Sequence, residues 1–222
     1  MSNTLFFQDQ AHILEYIICD IGIMDKKRFP DKKAVEEQKD SLCAADLIGA
    51  YLSEADLTEA YLVDADLTEA NLKYADLSSA CLFNADLIRA NLFGAKLVGC
   101  QFHAADLSDA RLCGANLTSA NFTEADLNGV NLFGARLFEA DFSESSLIDA
   151  NLIKADLRAE NLSHADLRGA YLTGADLSGA DLIGADLLGA DLTDAKLEYA
   201  DFRGADLRGQ NLRDLKFRGI II

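Results

Sequence analysis

The sequence predicts a solenoid, a chain that turns a corner every five residues and closes each coil after 20, and three observations carry that reading. From Leu42 to Phe217 a Leu or Phe stands at every fifth residue, 31 Leu and five Phe (Phe102, Phe122, Phe142, Phe202, Phe217), with no insertion or proline in the run. Two residues before each, from Ala45 to Ala205, alanine fills 29 of 33 positions, the exceptions being Cys100, Val130, Ser145 and Glu160. Sorting the run by 20 gathers Phe102, Phe122, Phe142 and Phe202 in one column. A second column holds Asp46, Asp66, Asp86, Asp106, Asp126, Asp166, Asp186 and Asp206, broken only by Ser146. A three-sided coil would scatter both sets.

A strict period of five keeps one face inward in neither a helix, which repeats about every 3.6 residues, nor a strand, which repeats every two. The inward pair is one large and one small apolar residue. Such a unit is too small to bury anything alone, so neighbouring coils must stack into a continuous core.

In these residues the chain resembles the pentapeptide repeat family, whose unit reads A-(D/N)-L-x-x. It stands here as Ala55-Asp56-Leu57-Thr58-Glu59, Ala65-Asp66-Leu67-Thr68-Glu69, Ala115-Asn116-Leu117-Thr118-Ser119 and Ala185-Asp186-Leu187-Leu188-Gly189. The resemblance covers residues 42–222 and implies an all-β solenoid, a right-handed quadrilateral β-helix with short parallel ladders on four faces. It brings no general enzymatic activity. About nine four-repeat coils at roughly 4.8 Å per strand would make a rod on the order of 40 Å long.

Residues 1–41 lack the pattern and read as an N-terminal helical cap. Phe6, Phe7, Ala11, Ile13, Leu14, Ile17, Ile18 and Ile21 recur at helical spacing and Gly22 is a stop. Asp25 to Pro30 is a polar turn, and Asp31 caps a second short helix through Asp40. The first coil has an open apolar end and unpaired strand edges, so a lid there answers a physical need. The C-terminal end has no such segment. Ile220, Ile221 and Ile222 either fold back over the last layer or join two copies tail to tail as a homodimer.

Half of the residues are apolar, yet Leu and Ala are interleaved with Asp, Asn and Gly, so no run approaches the roughly 20 needed to span a membrane. Met1-Ser2-Asn3-Thr4 lacks the basic flank of a secretory signal, and the expected location is cytoplasmic. The net charge of −17 argues against direct nucleic acid binding, which draws its affinity from cations, and an acidic rod is expected to meet a basic protein partner. Part of the acidity is turn chemistry, because Asp and Asn bond nearby backbone N–H groups at corners. The Asp46 to Asp206 column nevertheless lines carboxylates up at coil spacing, where like charges repel. An acidic rod is also similar to the family members that resemble duplex DNA and bind type II topoisomerases such as gyrase. The C-terminal helical dimerisation module usual in those members is missing here, and the unbroken register leaves no room for their projecting loops.

The residue after the central Leu is expected to face solvent. In one column successive coils place Phe93, Cys113, Phe133 and Ile153 there, followed by Gly94, Gly114 and Gly134, and this apolar stripe is the candidate partner surface. Glu160 occupies the small inward position, where a charge is costly, so it is expected to be neutral, hydrogen-bonded or displaced by a local bulge. His12, His103 and His164 fall on unrelated positions, and the sequence holds no catalytic constellation, cofactor-binding loop or metal motif. Five cysteines, an odd number, argue for free thiols; the pairing that the lid invites is a disulfide between Cys19 and Cys43.

Overall fold

The computed structural model describes residues 31–209. Every β-bridge in it joins a residue to the one 20 positions on, in parallel: Asp46 to Asp66, Tyr51 to Asn71, Asp56 to Asp76, Tyr61 to Cys81, and so on down to Asp186 with Asp206. The chain therefore completes its circuit in four sides. We number the faces by their central residue: the first holds Leu42 and Phe102, the second Leu47, the third Leu52 and the fourth Leu57.

Hydrogen bonding repeats with the sequence. The N–H of a central residue donates to the coil below (Leu47 to the Asp66 carbonyl, 2.8 Å), as does the corner N–H (Gly49 to Thr68, 2.8 Å). The residue before the next central Leu reaches back (Asp66 N–H to the Ala45 carbonyl, 2.9 Å). Corners close by a bond from the alanine N–H to the preceding Leu carbonyl (Ala50 to Leu47, 3.0 Å), with positive φ at the third residue of the turn. That is the requirement of a type II turn, which favours glycine. Here Gly49 and Gly94 meet it, but so do Glu54 and Asp64, non-glycine residues at φ of 58° and 56°.

The core is the predicted one. Leu and Ala of the repeat are buried from Leu42 to Phe202 except Ala50, which is half-buried in the first coil, and Phe102, Phe122 and Phe142 stack face to face with centroids 4.8 and 4.9 Å apart, the coil spacing itself. Of the inward exceptions, Ser145 donates its hydroxyl to the Phe142 carbonyl (2.7 Å) and Cys100 its thiol to the Leu77 carbonyl (2.8 Å), so each polar atom is satisfied inside the tube. Burial pushes the Cys100 thiol well above its ordinary pKa.

Of the expected cap, the described part begins at Asp31, and the first helix, from Phe6 to Gly22, lies outside the described residues, as do Ile220 to Ile222. Asp31 caps a helix, as expected, its carboxylate accepting from the Ala34 N–H at 3.0 Å. The helix is shorter than expected: it runs over Lys32–Glu37 and gives way to a 3-10 turn at Lys39–Ser41 rather than continuing through Asp40. The reason is the tower's open edge. The Lys39 carbonyl turns to accept the Tyr61 N–H (2.8 Å), Glu36 accepts the Asp56 N–H (2.9 Å) and Lys32 donates to the Ser53 carbonyl (3.2 Å). Val35 completes the first core layer. No helix among the described residues is long and apolar enough to cross a membrane.

Candidate interaction surface

The third face carries the apolar stripe. Phe93 and Phe133 are exposed, at 43% and 51%, whereas Cys113 between them and Ile153 one coil below Phe133 are half-buried. Phe93 is not bare on the side of Gly94, as the sequence suggests: the Tyr74 ring packs edge-on against it with centroids 5.6 Å apart. A Cβ at Gly94 would meet that ring at 2.7 Å, so glycine at this corner is what lets Tyr74 lie flat across the edge. At Gly114 and Gly134 nothing stands over the corner, and the third face runs on into the fourth without a side chain between them.

Charge is distributed less evenly than the net value implies. On the second face Asp46, Asp66, Asp106 and Asp126 each accept the N–H two residues on (Ile48, Thr68, Ser108, Asn128), the turn role expected of them. Asp86 makes no such bond, and its pKa is raised by partial burial and then by Asp66 and Asp106 on either side. Lower down the column Arg168 pairs with Asp166 and Asp186, and Arg208 with Asp206. Repulsion is thus confined to Asp46 through Asp126. Added salt is expected to raise the melting temperature, and Asp86→Asn to raise it at low salt while flattening the salt dependence. A melting temperature indifferent to salt in both proteins would overturn this account.

Glu160 is buried, as its column implies, and bonded: its Oε1 accepts the Glu139 N–H at 3.0 Å. What sequence reasoning missed is the cost to the backbone. The ladder bonds that the pattern calls for from Gly134, Leu137, Asp156 and Asn161 are missing, and that of Glu139 is diverted to the carboxylate. These groups all lie where the coil of Glu160 meets the one above. Register survives, with Arg136 still opposite Asp156. Over the break lies a cleft of about 500 Å³ lined by Thr118, Ala135, Arg136, Leu137, Phe138 and Arg158. Burial pushes the Glu160 carboxyl up to about 7, against the pull of the Glu139 and Ala140 N–H groups and with a further rise from Asp156 and Glu139.

No group of three or more His, Cys, Asp or Glu suited to a metal ion occurs among the described residues. His103 packs edge-on against Phe83 with centroids 6.1 Å apart, on the first face, and His164 stands at a corner of the same face. Cys81, Cys100 and Cys113 are not in disulfides, and Cys43 is disulfide-bonded; Cys19, the partner expected for it, lies outside the described residues.

The family model for pentapeptide repeats matches eight copies over residues 45–221. No curated protein sequence matches the chain. Among solved structures, HetL, a pentapeptide repeat protein involved in heterocyst differentiation regulation from the cyanobacterium Nostoc sp. strain PCC 7120, is 39% identical over 75% of this chain and 82% of its own, with a TM-score of 0.37. QnrB1, a plasmid-mediated fluoroquinolone resistance protein, is 21% identical over 80% of this chain and 91% of its own, with a TM-score of 0.58. The eight repeats and the ladder of 20-residue steps place this chain in the pentapeptide repeat family, whose members wind a right-handed β-helix.

Proposed function

We propose that the chain is a non-enzymatic scaffold that binds a protein partner through its third face. The carrying observation is the stripe of Phe93 and Phe133, exposed two coils apart on either side of Cys113 and continued by Ile153, because contiguous apolar surface marks interaction sites. Protein partners are known for the family, which supports the reading without naming a partner. In this arrangement residues 42–222 form the scaffold and residues 1–41 its lid, with Cys19 and Cys43 bonded across the two.

Substituting Phe93 and Phe133 together by Ser is expected to leave thermal melting unchanged and to weaken partner capture from a cell lysate by at least tenfold, as two interfacial aromatics warrant. Equal recovery by both proteins would overturn the reading. The second reading is a DNA mimic that binds a type II topoisomerase, supported by the net charge and the second-face carboxylates. A third face without acids from Asn71 through Lys154 fits a DNA-like charge distribution poorly, and we place this reading behind the first.

A further inference from the structure

Most cations among the described residues are held by a partner, and the exceptions cluster. Among the described residues Lys33, Lys39, Arg89, Lys96, Arg158, Arg168, Lys196, Arg203 and Arg208 each pair with a carboxylate, and Lys32 bonds to a carbonyl. The remaining four, Lys73, Arg111, Arg136 and Lys154, are exposed and make no side-chain bond with any described residue. All four border the aromatic stripe. Lys73, Arg111 and Lys154 stand on the third face itself, and Arg136 follows Gly134 across the bare corner.

The same face is without acids from Asn71 through Lys154; the residues beside its centre are Asn71, Asn91, Arg111, Asn131 and Asn151. Across the glycine corner, Asp76 is held by Lys96 and Asp156 by Arg158. On the opposite border Asp109 and Asp149 lie against Gly129 and Gly169 of the coil below. A chain of net charge −17 thus keeps one apolar face locally positive. Charges beyond roughly 8 Å are largely screened at physiological salt, so an approaching segment meets the local sign rather than the net one.

Spacing narrows the occupant further. Phe93 and Phe133 are two coils apart, about 9.6 Å along the axis. A polyproline-II-like segment returns to the same face every three residues, about 9.3 Å. Lys73 to Lys154 spans four coils, about 19 Å, or roughly six extended residues.

We propose that the third face binds an extended acidic segment of a partner protein, with a large apolar side chain at every third residue seated on the stripe and carboxylates between them meeting Lys73, Arg111, Arg136 and Lys154. The proposal rests on the scaffold reading and specifies the chemistry of the partner at that site, opposite in sign to what net charge suggests. A basic partner would instead meet the second face.

The test uses the full chain and three nine-residue peptides bearing a neutral fluorophore, Leu-Asp-Asp, Leu-Ser-Ser and Leu-Lys-Lys, each repeated three times, with binding read by anisotropy at low and physiological salt. The acidic peptide is expected to bind most tightly and to weaken with salt. Combined Arg111→Ser, Arg136→Ser and Lys154→Ser substitution is expected to cost it about tenfold, the sum for three exposed ion pairs, while leaving the serine peptide unchanged. A melting curve matching the parent confirms that the variant folds. Acidic binding no tighter than that of the serine peptide, tighter binding of the lysine peptide, or no binding of the acidic peptide at millimolar concentration would each overturn the proposal. If lysate capture is lost with Phe93→Ser/Phe133→Ser but untouched by the triple cation variant, the scaffold reading stands and this inference fails.

Discussion

Glu160→Ala is expected to stabilise the protein, and to do so most at alkaline pH. The parent carboxyl binds its proton more tightly folded (about 7) than in its ordinary state (4.5), so folding favours the protonated form. Its penalty is absent below about pH 4.5, grows as pH rises, and is complete above about 7. That interval of roughly 2.5 units corresponds to on the order of 3 kcal/mol. Denaturant melts at pH 5 and pH 8 are therefore expected to show the parent losing stability and the variant holding it. Glu160→Gln separates the two components, since it removes the charge but keeps a bulky polar group between the coils: the pH dependence should vanish while the ladder stays broken. Acid loss is a separate event at lower pH. There Asp156, Asp201 and Asp206, held below the ordinary carboxylate value chiefly by bonds from Arg158, Arg203 and Arg208, take up protons and release those partners. A parent equally stable at pH 5 and pH 8, or a Glu160→Ala protein weaker than the parent at pH 8, would refute this account.

Truncating the middle ring of the aromatic stack carries the other large effect. Phe122 is fully buried with Phe102 above and Phe142 below, so Phe122→Ala removes contacts on both sides at once. A loss of about 3 to 5 kcal/mol is expected, because a tube with walls bonded coil to coil cannot collapse onto the void. Phe122→Leu restores the residue usual at this position and is expected to cost about 1 kcal/mol. Denaturant melts of both variants check the difference. A Phe122→Ala cost within 1 kcal/mol would mean that the stack does not fill the tube.

How far the chain could be read from its letters depends on the range of the interaction concerned. Leu57 and Ala60 are inward because the corner between them repeats every five residues, and that regularity is local, visible in any window of the sequence. Column neighbours such as Asp76 and Lys96 follow from the step of 20, so their ion pair was within reach once the coil length was known. The same arithmetic marks Lys73, Arg111 and Lys154 as cations flanked in their columns by Ser53, Phe93, Asn91, Asn131, Gly134 and Gly174. Arg136 is different. Asp156 lies opposite it across the coils, yet Arg158 two residues on takes that carboxylate in a bidentate pair at 2.6 Å. Competition of this kind is settled by side-chain reach rather than by spacing. Glu160 is the deeper case. Its oddity was plain in the alanine column, but whether a carboxylate bends, neutralises or breaks its surroundings depends on how the adjoining backbone yields, and here the neighbouring coil yielded.

The bridging rule of one residue to its twentieth successor also constrains how such a chain can change. Adding or removing five residues keeps every Leu and Ala pointing inward, so the tube survives, but everything downstream swings by a quarter turn. Aromatic, acidic and cationic stripes would then stop at the edit and resume on another side. Only whole circuits lengthen a stripe in place. Such a rod can therefore have its exterior rewritten in single steps while its interior stays the same, and Phe93, Cys113, Phe133 and Ile153 stand on one side because whole circuits of 20 residues separate them.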